Sequence, residues 1–317
     1  AAQNLARAGH DVVVIEKQEK PGGLLRYGIP DFKLEKKIID RRIEQLLAEG
    51  VEFQCGVTAG EDISVRYLRK RFDAILLAMG AEQPRDLTVP GRGLDNVLYA
   101  MDYLTVQNKI CGDESLEGSN IVSAKDKVVV VIGGGDTGSD CVGTARRQGA
   151  KKIYQLEILP EPPEDRPSET PWPLWPRIMR TSSSQQEGCE RRWSVMTKNI
   201  AGADVHVSEL HCCEVEWVKS KGDWKVKEIP GTEFSMRVDL VLLAMGFVHV
   251  THTGLVENLE LKLDNRGNVE VDNYLTSESG VFAAGDTVRG ASLVVHAIRS
   301  GQEAATVVDR WLREGLA

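Results

Sequence analysis

The chain has 317 residues, 42% of them hydrophobic and 27% charged, and it carries a net charge of −8. This length predicts about two domains, and the composition is typical of a globular protein. The acidic balance argues against a nucleic-acid-binding surface. No apolar run reaches the ~18–20 residues of a membrane-spanning helix. The first residues lack the pattern of a secretory leader, so we expect a cytoplasmic location.

The cysteines do not form a recognisable metal-binding or redox motif. They are scattered along the chain and none of them shows the C-x-x-C spacing. This pattern predicts reduced, mostly buried thiols in a cytosolic protein, and no metal site in this chain. The cysteines are Cys55, Cys111, Cys141, Cys189, Cys212 and Cys213.

The chain opens with AAQNLARAGHDVVVIEK, which has the pattern of the second half of a βαβ unit. A helix is predicted over residues 1–8 and a strand over residues 12–15. Glu16, at the end of that strand, stands where dinucleotide folds place a ribose-binding acid. The strand and glycine turn that should precede Ala1 are not in the sequence, so we expect a fragment cut within its first dinucleotide fold.

The next segment alternates between helical and extended patterns. Apolar residues at helical spacing predict a helix over 34–48, and short apolar runs predict strands over 51–56 and 73–80, the latter reading DAILLAMG. Residues 84–93 have the pattern of a crossover loop between domains. A further helix is predicted over 94–108.

A strand and a glycine-rich turn form the centre of the chain. Residues 128–132, VVVVI, are a continuous β-branched run, as in a parallel strand buried on both faces. Gly133, Gly135 and Gly138 follow in the G-x-G-x-x-G spacing. The first permits a tight turn, the second lets backbone approach a pyrophosphate, and the third lets the helix pack close to the strand.

A helix predicted over 136–148 and a strand predicted over 152–158 complete this unit. The N–H groups and the dipole at the amino end of the helix favour a phosphate there. Glu157 lies about 20 residues beyond the last glycine, where an acid binds ribose in this motif. The complete strand–turn–helix–strand pattern therefore predicts a dinucleotide site.

The remaining sequence contains a proline-rich block and an apolar strand whose sequence repeats that of an earlier strand. The tryptophans of residues 159–181 predict an ordered loop rather than disorder. Alternating strands are predicted over 205–228, with a turn at 221–223. VDLVLLAMG, at 238–246, repeats DAILLAMG almost letter for letter, which indicates two related nucleotide-binding domains. GVFAAGD, at 280–286, precedes a helix predicted over 292–311.

Together these segments resemble the two-dinucleotide-fold flavoproteins of the disulfide-reductase-like superfamily. Within it they are similar to the small (beta) subunit, or beta region, of glutamate synthase. The proline-rich block is the most specific part of this resemblance. The segments that carry it are GGLLRYGIPDFKLEK (22–36), LLAMGAEQPRDLTVPGR (76–92), GGGDTGSDCVGTARRQGA (133–150), QLEILPEPPEDRP and PWPLWPRIMRTSS (155–183), and VFAAGDTVRGASLVVHAIRSGQEAA (281–305).

The resemblance implies an α/β fold with two Rossmann-like domains. Residues 1–93 would form the first part of a truncated FAD-binding domain that lacks its first strand. Residues 94–246 would form the NAD(P)H-binding domain, and residues 247–317 the second part of the discontinuous FAD domain. With its first glycine turn missing, the chain alone is expected to bind FAD weakly or not at all.

The resemblance also implies a reaction and a partner. Hydride passes from NAD(P)H to FAD, and electrons pass singly through [4Fe-4S] clusters to the large (alpha) subunit, where glutamine and 2-oxoglutarate yield glutamate. The clusters are expected in the absent N-terminal part and none in this chain. Because the cofactors carry the chemistry, no catalytic acid or base is named.

For FAD, the resemblance implies contacts from both parts of its domain. Glu16 would accept hydrogen bonds from the ribose, with a plain strand-end acid as the alternative. Arg26 would line the cofactor, with a surface salt bridge as the alternative, and Asp286 would meet the ribityl region or cap a helix. The FAD residues are Glu16, Gly22, Gly23, Leu24, Arg26, Ile29, Met79, Gly80, Gly285, Asp286, Ser292, Leu293 and Val294.

For NAD(P)H, the glycine turn would cradle the pyrophosphate. Glu157 pairs with a free 2′-hydroxyl and repels a 2′-phosphate, which favours NADH, although Arg166, Arg177 and Arg180 lie downstream and could reach a phosphate. Met79 and Met245 would mark strand ends where the domains meet, or be buried apolar methionines. The NAD(P) residues are Gly133, Gly134, Gly135, Asp136, Thr137, Gly138, Glu157, Met245 and Gly246.

Two positions depart from the family pattern. His296 stands where we expect a tryptophan, and a lone histidine on a helix is more often structural than catalytic. Gly138 stands where we expect an alanine, a change that should be harmless to the fold.

Two other interpretations of the sequence stay open. One is a related reductase, such as the reductase part of dihydropyrimidine dehydrogenase or a ferredoxin–NADP transhydrogenase subunit, which the proline–tryptophan block argues against. The other is a non-catalytic electron-transfer or scaffold subunit that keeps its nucleotide folds for binding alone. The intact nucleotide motifs argue against the scaffold.

Overall fold

The computed structural model describes residues 1–174, 178–220 and 222–315. Within them the chain divides into two compact units. Unit 1 comprises residues 1–26, 34–85 and 246–317, and unit 2 comprises residues 27–33 and 86–245.

The described residues form a mixture of short and long elements in both units. The strands are β1 Val12–Glu16, β2 Val51–Cys55, β3 Ile75–Leu77, β4 Val97–Tyr99, β5 Val128–Ile132, β6 Lys152–Leu156, β7 Glu190–Arg192, β8 Val195–Ala203, β9 His206–Ser220, β10 Asp223–Glu228, β11 Phe234–Arg237, β12 Leu240–Leu243 and β13 Val281–Ala283. The helices are α1 Ala2–Arg7, α2 Gly23–Tyr27, α3 Lys37–Ala48, α4 Val65–Arg71, α5 Ala100–Cys111, α6 Asp136–Arg147, α7 Ser183–Gln186, α8 Leu255–Asn258, α9 Asp286–Arg289 and α10 Val294–Glu314.

Unit 1 is built on two parallel strand pairs. β1 pairs with β2, with Val14 opposite Phe53, and β13 pairs with β3, with Phe282 opposite Leu76. Phe282 is buried in a cluster with Leu5 of α1 and residues of α10, which anchors both helices on the β13 pair. Each pair thus gains its stability from the helices that cover it.

Unit 2 contains a five-stranded parallel sheet in the order β4-β12-β5-β6-β7. The β-branched run of β5 lies at its centre, and Val129, Val130 and Val131 are fully buried. Val129 and Val131 pack against α5 and α6, whereas Val130 packs against the antiparallel strands β8, β9 and β11. The central strand is therefore covered on both faces, as its unbroken apolar sequence predicts.

Several of the described strands, among them β4, β7, β8 and β11, were not predicted from the sequence. β4 lies inside the predicted helix 94–108, which begins only at Ala100; three residues are too few to show an alternating pattern. β7 consists of charged residues. β8 contains a glycine and two register shifts against β9, which disrupt the period of two. The predicted turn at 221–223 includes Lys221, which lies outside the described residues.

One of the changes of unit falls at residues 85/86, eight residues before the domain boundary predicted at 93/94. Residues 86–93 belong to unit 2 because Leu87 and Val89 pack against its core. Arg92 also donates to Asp86 at 2.5 Å within the same segment. The predicted crossover loop is therefore part of the second unit.

Residues 27–33 also belong to unit 2, although their neighbours in the chain belong to unit 1. The hydroxyl of buried Tyr27 donates to Glu114 at 2.7 Å, and its carbonyl accepts from the Asn108 side chain at 2.9 Å. Which cofactor each unit binds stays a prediction.

Candidate dinucleotide-binding sites

The turn after β5 requires glycine at its first position. Gly133 has a φ of +128°, and a Cβ there would lie 2.2 Å from the carbonyl oxygen of Ala244. Its N–H donates to the carbonyl of Leu156 at 2.8 Å. The turn is therefore held tightly between the ends of β12 and β6.

Gly138 brings α6 against this turn. A Cβ at Gly138 would lie 2.3 Å from the Gly133 carbonyl oxygen and 2.8 Å from Nε2 of Gln155. Glycine is thus harmless to the fold, as expected, but alanine would not be. The two residues are not interchangeable at this position.

The amino end of α6 is open. Gly135 and Asp136 are exposed, and apart from Gly135 and its two chain neighbours no atom of the described residues lies within 4 Å of the position of a Cβ at Gly135. Thr137 follows in the first turn of the helix. An open backbone at the positive end of a helix dipole is a place where a phosphate fits.

Glu157 contacts the glycine turn directly. Its Oε2 accepts from the Gly134 N–H at 2.6 Å, and its Oε1 accepts from the Leu159 N–H at 3.1 Å. A Cβ at Gly134 would lie 2.6 Å from Oε2. The structure therefore brings together the two parts of the motif that the sequence placed about 20 residues apart.

Two of the three downstream arginines lie within the described residues. Arg166 donates to the carbonyls of Thr170 and Leu174 within its own loop, at 2.9 and 3.0 Å. The carbonyl of Arg180 accepts from Arg191 at 3.1 Å. Arg177 lies outside the described residues.

Two arginines that sequence reasoning missed lie at the same edge of the sheet as Glu157. Arg191 and Arg192 end β7, which pairs with β6, and the Glu157 N–H donates to the Arg192 carbonyl at 2.9 Å. The only sequence signal was the run ERR at 190–192.

The two methionines are partly buried and make apolar contacts. Met245 packs against the core of unit 2 that faces the antiparallel strands, and Met79 packs against a core of unit 1. The glycines that follow them, Gly80 and Gly246, have φ values of +75° and +80°. The repeated LLAMG sequence therefore encodes the same strand-end turn twice.

Arg26 is a buried residue with fixed partners. It is only 5% exposed, and it donates to the Pro21 carbonyl at 2.7 Å and to Asp40 Oδ1 at 2.5 Å. A Cβ at Gly22, whose φ is +139°, would lie 3.0 Å from the Arg26 Cβ. The salt-bridge alternative thus describes Arg26, although the pair is partly buried rather than on the surface.

The other residues predicted near the start of the FAD site are spread over both units. Glu16 ends β1, and its Oε1 accepts from the Gln18 N–H at 2.9 Å. Gly23 and Leu24 are exposed at the start of α2. Ile29 belongs to unit 2.

The second FAD segment forms a compact turn in unit 1. Gly285 has a φ of +70°, and Asp286 accepts from the hydroxyl and N–H of Ser292, at 2.7 and 3.2 Å. Leu293 and Val294 are exposed at the start of α10. The structure thus joins Asp286 to Ser292 and leaves the next two predicted residues accessible.

A family model described as pyridine nucleotide-disulphide oxidoreductase matches residues 1–301. The chain belongs to this family. The sequence-based predictions of a two-dinucleotide α/β flavoprotein fold and of similarity to glutamate synthase small chains are confirmed. The predicted class, an NAD(P)H-dependent flavoprotein oxidoreductase, agrees with the pyridine nucleotide-disulphide oxidoreductase family.

Relatives with close sequence similarity carry glutamate synthase names. The glutamate synthase [NADPH] small chain of Mycobacterium tuberculosis is 49% identical over 316 residues, covering 98% of this chain and 64% of the relative. The glutamate synthase [NADH] of Schizosaccharomyces pombe is 42% identical, covering 98% of this chain and 15% of the relative. The chain therefore spans just under two thirds of the bacterial small chain.

A solved structure shares the fold. The Mycobacterium tuberculosis FprA in complex with NADPH matches 99% of this chain and 82% of its own, with a TM-score of 0.75 and 18% identity.

Residues 1–174, 178–220 and 222–315 include neither a candidate membrane-spanning helix nor a cluster of metal-binding side chains. None of their helices is both long and apolar enough to cross a membrane. They contain no group of three or more histidine, cysteine, aspartate or glutamate side chains placed to hold a metal ion.

Proposed function

We propose that this chain binds NAD(P)H in unit 2 and contributes the unit 1 residues of an FAD site, and that hydride passes from the nicotinamide to that flavin. The observation that carries the proposal is the open amino end of α6, with Glu157 hydrogen-bonded to the glycine turn beside it. Membership of the pyridine nucleotide-disulphide oxidoreductase family supports it. Bound FAD would supply the hydride acceptor and the one-electron steps.

The residues of unit 2 bind and orient the dinucleotide. The backbone from Gly133 to Thr137 faces the pyrophosphate, and the α6 dipole favours its negative charge. Gly135 is the position of closest approach, because nothing in the described residues fills the space where its side chain would lie. Glu157 accepts from a ribose hydroxyl while it holds the Gly134 N–H.

The residues of unit 1 would hold the flavin cofactor. Glu16 would bind its ribose, and Asp286 with Ser292 would bind the ribityl and pyrophosphate region. The exposed start of α10 at Leu293 and Val294 would face the isoalloxazine edge. Arg26 supports this site indirectly. Its ion pair with Asp40 holds it against Gly22, and this contact fixes the turn there.

We also propose that the chain acts as part of a glutamate synthase in the cytoplasm. In such an assembly, iron–sulfur clusters held outside this chain would carry electrons from the flavin to a large (alpha) subunit, where glutamine and 2-oxoglutarate would yield glutamate. Similarity to glutamate synthase small chains over nearly the whole length of this chain supports the proposal.

NADH is the favoured reductant. The Glu157 carboxylate would repel a 2′-phosphate and accept from a 2′-hydroxyl. One similar relative is named for NADPH and another for NADH. Similarity therefore does not decide between the two nucleotides, and the preference depends on the charges near the ribose. Arg191 and Arg192, at the same edge of the sheet, are the groups that would oppose Glu157.

The test is anaerobic flavin reduction in the full-length protein, followed by absorbance while NADH and NADPH are titrated separately. We expect reduction by NADH at the lower concentration. Gly135→Ala should fold normally and require more of either nucleotide, because its Cβ occupies the space of the phosphate. Reduction by neither nucleotide would overturn the hydride-transfer proposal and favour a scaffold role. Preference for NADPH would overturn only the role of Glu157.

A further inference from the structure

A chain of hydrogen bonds crosses the interior of unit 2 and ends on the glycine turn. It begins at Lys33, whose Nζ lies 2.6 Å from Asp140 Oδ1 and donates to Ser139 Oγ at 2.9 Å. Ser139 is only 4% exposed. A cation therefore reaches the buried side of α6 and hydrogen-bonds a hydroxyl there.

Ser139, Ser182 and Gln185 continue this chain of hydrogen bonds, and each serine donates to the next residue. The Ser182 N–H and hydroxyl both donate to Gln185 Oε1, at 2.7 and 2.5 Å, in a capping box at the start of α7. Because Ser182 uses its hydroxyl proton there, Ser139 is the donor in the 2.5 Å contact between the two hydroxyls.

Gln155 completes the chain. The Ser182 N–H fixes the orientation of the Gln185 amide, so Gln185 Nε2 faces Gln155 Oε1 and donates to it at 3.2 Å. Gln155 Nε2 then donates to the Gly133 carbonyl at 2.9 Å. We name Lys33, Ser139, Ser182, Gln185 and Gln155 the buried relay.

Every bond of the buried relay points from the Lys33 ammonium toward the Gly133 carbonyl. Hydrogen bonds aligned in this way polarise one another, most of all where water is excluded. Gln155 is only 2% exposed, and a buried amide in a parallel strand is costly unless its polar groups are satisfied. Both ends of this amide are satisfied, one of them by the glycine turn.

We propose that Gln155 is a positioning residue for the dinucleotide, acting through the Gly133 carbonyl. The carbonyl of its strand neighbour Leu156 accepts from the Gly133 N–H. Residues of β6 therefore bind both the N–H and the carbonyl of Gly133. The turn is thereby fixed before the dinucleotide arrives, which lowers the cost of binding. This inference rests on the proposed function, since it assumes that the dinucleotide binds at this turn.

The first test compares Gln155→Leu with the wild type in the full-length protein, kept anaerobic with its flavin already reduced, by calorimetric titration with NADH. We expect the Kd to rise about tenfold or more, because the Gly133 carbonyl and the Gln185 amide both lose a partner. The matched control is Gln148→Leu. Gln148 also belongs to a side-chain network, with Tyr103 and Gln107 at the other end of α6, but it does not touch the turn.

The second test separates positioning from a general loss of stability. In Gln155→Glu, an ionised carboxylate would face the Gly133 carbonyl oxygen and displace the turn. A protonated carboxyl could donate to it, and burial raises the pKa of a carboxyl. The charged groups on the surrounding elements are Arg191, opposite residue 155 on β7, and Glu157, two residues further on, with Lys33 and Asp140 at the far end of the hydrogen-bond chain.

For Gln155→Glu, we expect the Kd relative to the wild type to fall about tenfold between about pH 8 and about pH 6, as the carboxyl gains its proton. A ratio that does not change with pH would mean that residue 155 has only a structural role, and would overturn the inference. Equal Kd values for Gln155→Leu and Gln148→Leu would overturn it as well. If the wild type bound neither NADH nor NADPH, the proposed function would fail and the inference with it.

Discussion

The two glycine turns that follow β5 and β13 have similar sequences but different surroundings. In unit 2, β5 lies between β12 and β6, and a Cβ at Gly133 would strike the Ala244 carbonyl at 2.2 Å. In unit 1, β13 pairs with β3 and makes an isolated bridge from Phe282 to Leu275. The atom nearest to a Cβ at Gly285 is 3.8 Å away.

The comparison shows that glycine is needed for two separate reasons. At Gly133 the backbone conformation and the lack of space both exclude a side chain. At Gly285 only the positive φ does so. Because β5 is hydrogen-bonded to a strand on each side, backbone atoms at the ends of those strands lie close to its glycine turn. These contacts make the turn rigid. Unit 2 therefore has the more sharply defined nucleotide turn.

The largest expected effect comes from placing alanine at each turn. Gly133→Ala should lower the free energy of unfolding by about 3 kcal/mol or more, because strain and overpacking add. Gly285→Ala should lower it by less, about 2 kcal/mol, through backbone strain alone. Urea denaturation of the two variants measures the difference. Equal losses would show that the two turns are alike after all.

Gly138→Ala tests how closely α6 must approach the turn of unit 2. Its Cβ would meet the Gly133 carbonyl at 2.3 Å, so we expect a loss of about 1–3 kcal/mol in the free energy of unfolding. Gly135→Ala is the control three positions earlier, where φ is −79° and the space is open. It should unfold like the wild type, and a matching loss there would refute the steric explanation.

A smaller effect is expected from the carboxylate beside the unit 2 turn. Glu157→Gln keeps an acceptor for the Gly134 N–H but removes the negative charge. The ratio of the Kd for NADPH to the Kd for NADH should fall on the order of tenfold, equivalent to about 1.4 kcal/mol. Titration with both nucleotides measures it. If the ratio did not change, Arg191 and Arg192 rather than Glu157 would determine the nucleotide preference.

The smallest effect concerns thiol reactivity in the native protein. Burial raises the pKa of Cys141 in unit 2 and that of Cys55 in unit 1, but Cys141 is fully buried and Cys55 only partly. With iodoacetamide, exposed Cys111 should react first, then Cys55. Cys141 should react slower than Cys55 by a factor on the order of ten or more, since it needs local opening. Mass spectrometry over time gives the order, and early labelling of Cys141 would contradict it.

The unit 2 turn was predictable because its determinants are close together in the sequence. A β-branched strand, three spaced glycines and a helix specify Gly133 and α6 locally, and an acid about 20 residues on specifies Glu157. The structure adds only the contact between Glu157 and Gly134.

The support of the same turn was not predictable. The Gln155 amide is satisfied by Gln185, which lies on a four-residue helix after the proline-rich block. Nothing in the period of the intervening sequence shows that these residues meet. Arg26 shows the same limit, because its partner Asp40 depends on how α2 and α3 pack.

Short or charged strands are a further feature that the sequence alone does not predict. β4 and β7 are three residues each, too short for any alternation, and they exist because β12 and β6 offer them free edges. Neighbours that are distant in sequence stabilise them, so local preference carries little information.

The chain passes between the two units four times, at residues 26/27, 33/34, 85/86 and 245/246. A transplant of residues 86–245 into a relative would therefore leave part of the unit behind. Tyr27 and Lys33 would stay with the donor, and Glu114 and Asp140 would lose their contacts with them. An engineer who wants to exchange nucleotide preference must move two pieces of chain together, or redesign the seven-residue segment that the host supplies.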